Sequence, residues 1–151
     1  MTLAEQLGSL RRSLRRLLSE RLGEQTGRPF MQLLALKAIA EGVRTQAALA
    51  ERLSVDPPAV SRLVDRLEGD GLVSRRAGEN RRCVRLELSE QGSGELELLN
   101  SALHWADGEL QKYLLAAEVT ELKRILAKLQ EGLTRDGGPT PGGCGAEEGN
   151  S

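Results

Sequence analysis

Residues 45–92 read TQAALAERLSVDPPAVSRLVDRLEGDGLVSRRAGENRRCVRLELSEQG, and the punctuation inside this stretch decides the fold. Thr45 precedes a short run, TQAALAERL, that brings Leu49 and Leu53 onto one helical face, and its hydroxyl suits the N-cap position. Ser54 and Val55 leave room only for a tight connection. Asp56 is then a second N-cap, followed by Pro57 and Pro58 in a first turn where a missing N–H forfeits no intrahelical bond. The helix begun there turns Val60, Leu63, Val64 and Leu67 inward and Ser61, Arg62, Asp65 and Arg66 outward. Gly71 falls where a left-handed residue closes a helix.

Beyond Gly71 the apolar period changes from that of a helix to that of a strand. Strands are predicted over LVSRR (72–76) and RRCVRLEL (81–88), joined by AGEN. In the second, Val84, Leu86 and Leu88 share one face, so Cys83, Arg85 and Glu87 share the other. Two short helices, a tight turn and a two-stranded hairpin make a winged helix-turn-helix, whose second helix fits a DNA major groove.

Long helices flank this lobe. Leu3, Leu7, Leu10, Leu14 and Leu17 recur at four, three, four and three, with Leu18 and Leu22 widening the stripe. Gly23, Gly27 and Pro29 break that helix, and a second runs from Phe30 to Glu41. Ser89 caps a long helix carrying Leu96, Leu99, Leu103, Ala106, Leu110 and Tyr113, and a final helix spans about Val119 to Leu133 with Leu122, Ile125, Leu126 and Leu129. The predicted class is mainly α with a small two-stranded β wing. One domain covers 1–134, with the winged helix-turn-helix lobe at about 30–92 and long helices at about 1–22 and 90–133. Residues 135–151 are rich in glycine and poor in apolar side chains, which predicts a disordered tail.

Composition limits the function. The formal charge of -1 conceals an asymmetry: residues 1–92 hold sixteen of the 21 basic and twelve of the 22 acidic side chains, leaving five basic against ten acidic. A nucleic-acid partner is therefore compatible with the overall charge, because the field is local. No apolar run reaches membrane-spanning length, and MTLAEQLGSLRRSLRR sets arginines where a signal peptide needs an apolar region, so a cytoplasmic protein is expected. Cys83 and Cys144 give no disulfide framework, and one histidine with two distant cysteines gives no metal-ligand spacing. No HExxH or phosphate loop is present, and GSG at 92–94 lacks the rest of a dinucleotide fingerprint. Neither an enzyme nor a cofactor is expected.

The LVDRLEGDGLV run, the arginine-rich wing tip and LELSEQG make residues 30–92 resemble the DNA-binding core of the MarR family of bacterial transcription regulators. The family usually has a Leu-Thr pair before the glycine where this chain has LELSEQG. The flanking helices match by pattern and order. The resemblance implies a homodimer with interlocked terminal helices, bound to a pseudo-palindromic operator in double-stranded DNA. It also implies a repressor released by a small-molecule or oxidant effector that changes the spacing of the two recognition helices.

The same resemblance gives an anion to the five arginines of RRAGENRRCVR (75–85), whose plainer reading is a solvated hairpin paired with Glu79 and Glu87. Arg82 takes the role of the wing arginine in the minor groove, with Arg81, Arg76 and also Arg75 near phosphates. Arg62 is expected to reach a base edge, most simply guanine. Pro58 and Ser61 pack on bases or sugars, Arg66 lies near a phosphate, and Thr45 and Gln46 offer backbone N–H groups to phosphate. Two departures weaken the pattern. Asn80 stands where the family has an aspartate before its arginine pair, and Pro57, Pro58 and Ala59 remove hydrogen-bonding groups beside Asp56.

Cys83 points outward between Arg81 and Arg85, where positive neighbours favour a thiolate. A redox role, with Cys144 as resolving thiol, competes with the plainer reading of a small strand residue, which is preferred because similar regulators keep their sensing cysteine near the N-terminal helices. His104 and Trp105 lie on a long helix beside its stripe, where a packing or surface role for the histidine is preferred over a ligand contact. The runner-up function is a winged-helix protein-interaction module without specific DNA binding. A module of that kind needs no common projection of Arg62, Arg81 and Arg82.

Overall fold

The computed structural model describes residues 1–78 and 84–136; the expectations for Asn80, Arg81, Arg82, Cys83 and the tail from residue 137 onward lie outside the described residues. The chain begins with α1 (Leu3–Gly23), opened by Thr2. The Thr2 hydroxyl accepts from the Glu5 N–H at 3.2 Å, and the Glu5 carboxylate accepts from the Thr2 N–H at 2.7 Å, a reciprocal cap. That backbone bond, with a second from the Thr2 hydroxyl, holds the Glu5 carboxyl below its usual range.

α2 (Phe30–Ala40) is the hub, with Leu33, Ala35, Leu36, Ala38 and Ile39 buried from several sides together with the amide of Gln32. Against it pack α3 (Gln46–Leu53) and the wing strand β2 (Val84–Leu88), while α4 (Pro57–Gly69) packs on α3 and on the other wing strand, β1 (Val73–Ala77). Thr45 and Asp56 cap α3 and α4 as their sequence positions predict, accepting from the Ala48 and Ala59 N–H groups at 3.1 and 2.9 Å. Ser54 closes α3 in the left-handed region, φ 55°, and Gly71 ends the turn after α4 at φ 76°. Leu33, Leu36, Ile39, Leu49, Val60, Val64, Leu67 and Leu86 form one core, where each wholly buried side chain contributes about 1.5–3 kcal/mol.

The strands pair antiparallel, with Val73 opposite Leu88, Arg75 opposite Leu86, and Ala77 opposite Val84. The Leu86 N–H also donates to the Arg44 carbonyl at 2.7 Å, stitching the wing to the segment before α3. α5 (Glu90–Gln111) starts at the Ser89 cap and buries Leu96, Leu99, Ala102 and Ala106 against Leu18 and Leu22 of α1. Its start is crowded: Gly92 is buried, and a Cβ there would stand 2.2 Å from the Leu72 carbonyl oxygen. The Arg21 guanidinium sits over the Trp105 ring at 4.8 Å and pins α1 to α5. α6 (Ala116–Asp136) follows.

Several boundaries differ from expectation. α5 stops at Gln111, so Tyr113 lies past its end and is 82% exposed instead of extending the stripe. α6 runs three residues further at each end than predicted, to Asp136, because Ala116, Ala117 and Thr134 accept helical geometry and no Gly or Pro stands between Leu133 and Gly137. Leu63 is half-buried, and within β2 burial fades from Leu86 to Val84 as the wing leaves the core. The N-terminal seam divides: Leu18 and Leu22 are buried within the chain, whereas Leu3, Leu7 and Leu10 remain exposed. No helix among the described residues is long and apolar enough to cross a membrane.

Candidate nucleic-acid interface

The exposed side of α4 carries Pro58, Ser61, Arg62, Asp65 and Arg66, spaced three and four apart so that they form one outer surface. Val60, Val64 and Leu67 hold the opposite side in the core. Arg62 and Arg66 are exposed and make no ion pair among the described residues. Asp56 lies at the N-terminal end of this surface, its carboxylate engaged by the Ala59 N–H. Arg66 also borders a small polar cleft with Thr26, Arg28 and Asp70.

α3 brings its N-terminus beside α4. The Thr45 hydroxyl occupies the Ala48 N–H, which leaves those of Gln46 and Ala47 without an intrahelical acceptor. Thr45 and Gln46 are half-buried at this edge.

On the wing, strand alternation separates two neighbouring arginines. Arg76 faces outward, its side chain 71% exposed, and pairs with Glu87 across the hairpin at 2.9 Å. Arg75 faces inward beside Val73, its side chain 22% exposed, and reaches back to α4. Its guanidinium meets Asp65 at 2.7 Å and Glu68 at 3.1 Å, and donates to the Ser61 carbonyl at 3.3 Å and to Gln46 Oε1 at 2.9 Å. Its backbone N–H donates to Glu68 as well, at 3.0 Å. Arg75, expected near phosphate, is thus spent inside the lobe: the β1 pleat directs it at the carboxylates of α4.

A second bridge joins the lobe to the long helices. Arg28 Nη1 donates to Asp70 at 2.8 Å and to Gln32 at 3.1 Å, while its Nε faces Glu95 of α5 at 3.7 Å, too far for a hydrogen bond. Sequence reading missed this arginine, which lies in the GRP break between helices and carries no periodic signal.

The described surface joins Arg62 and Arg66 of α4, the α3 N-terminus and Arg76 of the wing, with Asp65 and Glu68 of α4 engaged by Arg75 and Glu87 by Arg76. It can receive a polyanion along one side of the lobe. These elements define a winged helix-turn-helix protein whose outer helix exposes two arginines.

The MarR family profile matches residues 26–82. Wild-type MarR from E. coli in its apo form shares 30% identity over 85% of this chain and 97% of that one, with a TM-score of 0.75. A mutant MarR from E. coli complexed with operator DNA shares 29% identity, covering 84% of this chain and 92% of that one, with a TM-score of 0.72. A MarR family protein from Bacillus stearothermophilus, 24% identical, has the same fold over 87% of this chain and 93% of its own, with a TM-score of 0.74. The chain belongs to the MarR family.

Proposed function

We propose that this protein is a homodimeric, sequence-specific regulator that binds a pseudo-palindromic operator in double-stranded DNA and represses until an effector releases it. The observation that carries the reading is the unpaired, exposed pair Arg62 and Arg66 on the outer side of a helix whose other side is anchored in the core. Similarity to a protein complexed with operator DNA adds support. In this reading Arg62 reads a base edge, Pro58 and Ser61 pack on bases or sugars, and Arg66, Arg76 and Arg81 lie near phosphates. Arg82 enters the minor groove, and Thr45 and Gln46 offer N–H groups to phosphate.

The homodimer rests on apolar surface. Leu122, Ile125, Leu126, Leu129 and Leu133 make a stripe along α6 that the chain itself leaves open, and Leu3, Leu7 and Leu10 do the same on α1. A helix with such a stripe is favourable only when a partner covers it. The effector reading rests on a groove of about 690 Å³ between these helices and the lobe, floored by Leu10, Leu14, Phe30 and Leu34. A molecule held there acts differentially on the spacing of the two recognition helices.

The test is fluorescence-anisotropy titration of the DNA upstream of the protein's own gene and of a shuffled duplex, over a salt series, with Arg62→Ala and Arg82→Ala. Tighter binding to the native duplex, falling steeply with salt, is expected. Arg82→Ala should lower the slope by about one counterion, and Arg62→Ala should cost about 1–3 kcal/mol of discrimination. Absence of salt-dependent binding to either duplex would favour the protein-interaction module.

A further inference from the structure

Arg75 raises a question that its burial alone does not answer: why a strand arginine should join four groups on two helices. Asp65 and Glu68 explain two contacts as charge pairing, and their carboxylates are 62% and 42% exposed, so the pairing stabilises the lobe only modestly. The contact with Gln46 is different in kind. Arg75 Nε donates to Gln46 Oε1 at 2.9 Å, which occupies one lone pair of the amide oxygen and turns that oxygen toward Arg75. The Nε2 group makes no hydrogen bond to any described residue. It is therefore a pair of donors beside the two open N–H groups of the α3 N-terminus, close to Ser61 on the outer helix through the shared guanidinium.

We infer that Gln46 binds the DNA backbone through its side-chain amide and that Arg75 is the positioning residue that aims it. This rests on the DNA-binding reading given above. Arg75 works twice: it holds the amide oxygen inward with its donors outward, and its charge offsets one of the two carboxylates of α4, Asp65 and Glu68, that would otherwise repel a phosphate at that spot. The ligand is a phosphodiester oxygen, so the contact adds affinity for any duplex and sets register without reading a base.

The substitution Gln46→Glu separates this role from a merely structural one, because a carboxylate still accepts from Arg75 but donates nothing. Its thermal unfolding should match or exceed wild type, whereas its affinity for the upstream duplex should fall at least about tenfold, and by a similar factor for a shuffled duplex. Gln46→Ala should weaken binding less, and Arg75→Ala with Gln46→Ala should be no weaker than Arg75→Ala alone, since the amide is already unaimed. Full binding by Gln46→Glu overturns the inference while leaving the DNA-binding reading intact. Additive losses, with Arg75→Ala removing about one counterion from the salt slope, overturn it in favour of Arg75 as the phosphate ligand. A wild-type protein that shows no salt-dependent binding overturns both.

Discussion

If α6 is covered by a second copy, one carboxylate in its stripe should separate the protomers. Ile125 keeps 41% of its surface in the single chain. A whole isoleucine is worth about 1.5–3 kcal/mol, so covering that remainder is worth roughly 0.6–1.2 kcal/mol, counted twice under twofold symmetry. Ile125→Asp forfeits this and leaves two carboxylates to be desolvated or pushed aside, at roughly 2–4 kcal/mol for the pair. The combined loss of about 3–6 kcal/mol raises the dimer Kd by roughly two to four powers of ten. Sedimentation equilibrium over a wide concentration range measures it. Ala127→Asp is the control, because it carries the same poor helix former on the opposite side of α6. Far-UV circular dichroism checks that both variants fold. A wild-type monomer at every concentration, or equal dimer constants for the two variants, would refute the reasoning.

Two further substitutions probe the lobe by itself. Gly92→Ala places a methyl 2.2 Å from the Leu72 carbonyl oxygen and 2.8 Å from Leu88 Cδ1, so it should destabilise by at least about 1–3 kcal/mol in thermal unfolding. An unchanged Tm would mean that α5 does not dock as described. Ser54→Gly relieves a left-handed φ of 55° and should stabilise by up to about 1 kcal/mol in urea. A loss of stability would show that the serine hydroxyl holds the turn.

The lobe was legible because its punctuation is chemical. Thr45, Asp56, Gly71 and Ser89 act through local hydrogen bonds or φ values, which depend little on the rest of the chain. What escaped depends on distance. Arg28 meets Asp70 and Glu95, 42 and 67 positions away, and no periodicity announces such a bridge. Gly92 looked like any glycine in a helix until the Leu72 carbonyl was seen against it. Arg75 is the instructive case. Once Val73 is assigned to the core, strand alternation sends Arg75 inward and Arg76 outward, so a rule applied to β2 alone would have separated them if extended to β1. Periodicity could not divide the α1 leucines between the chain's own core and an outside partner, since both satisfy the same spacing.

The Arg28 bridge also has a mechanical side. It clamps the C-terminal end of α4 to α2 and α5 through Gln32, Asp70 and Glu95, whereas the N-terminal end is held by its Asp56 cap and its core contacts. Because Val60, Val64 and Leu67 tie α4 to the core of the lobe, helix and lobe turn about that clamp as one rigid body. With 13 residues at 1.5 Å each, α4 is about 20 Å long, so a tilt of about 5° at the clamp carries its far end by about 1.7 Å. That displacement exceeds the tolerance of a hydrogen bond. Because Arg75 straps the hairpin to the same helix, helix and wing swing together, and a small torque applied where α5 meets the lobe is magnified at the tip.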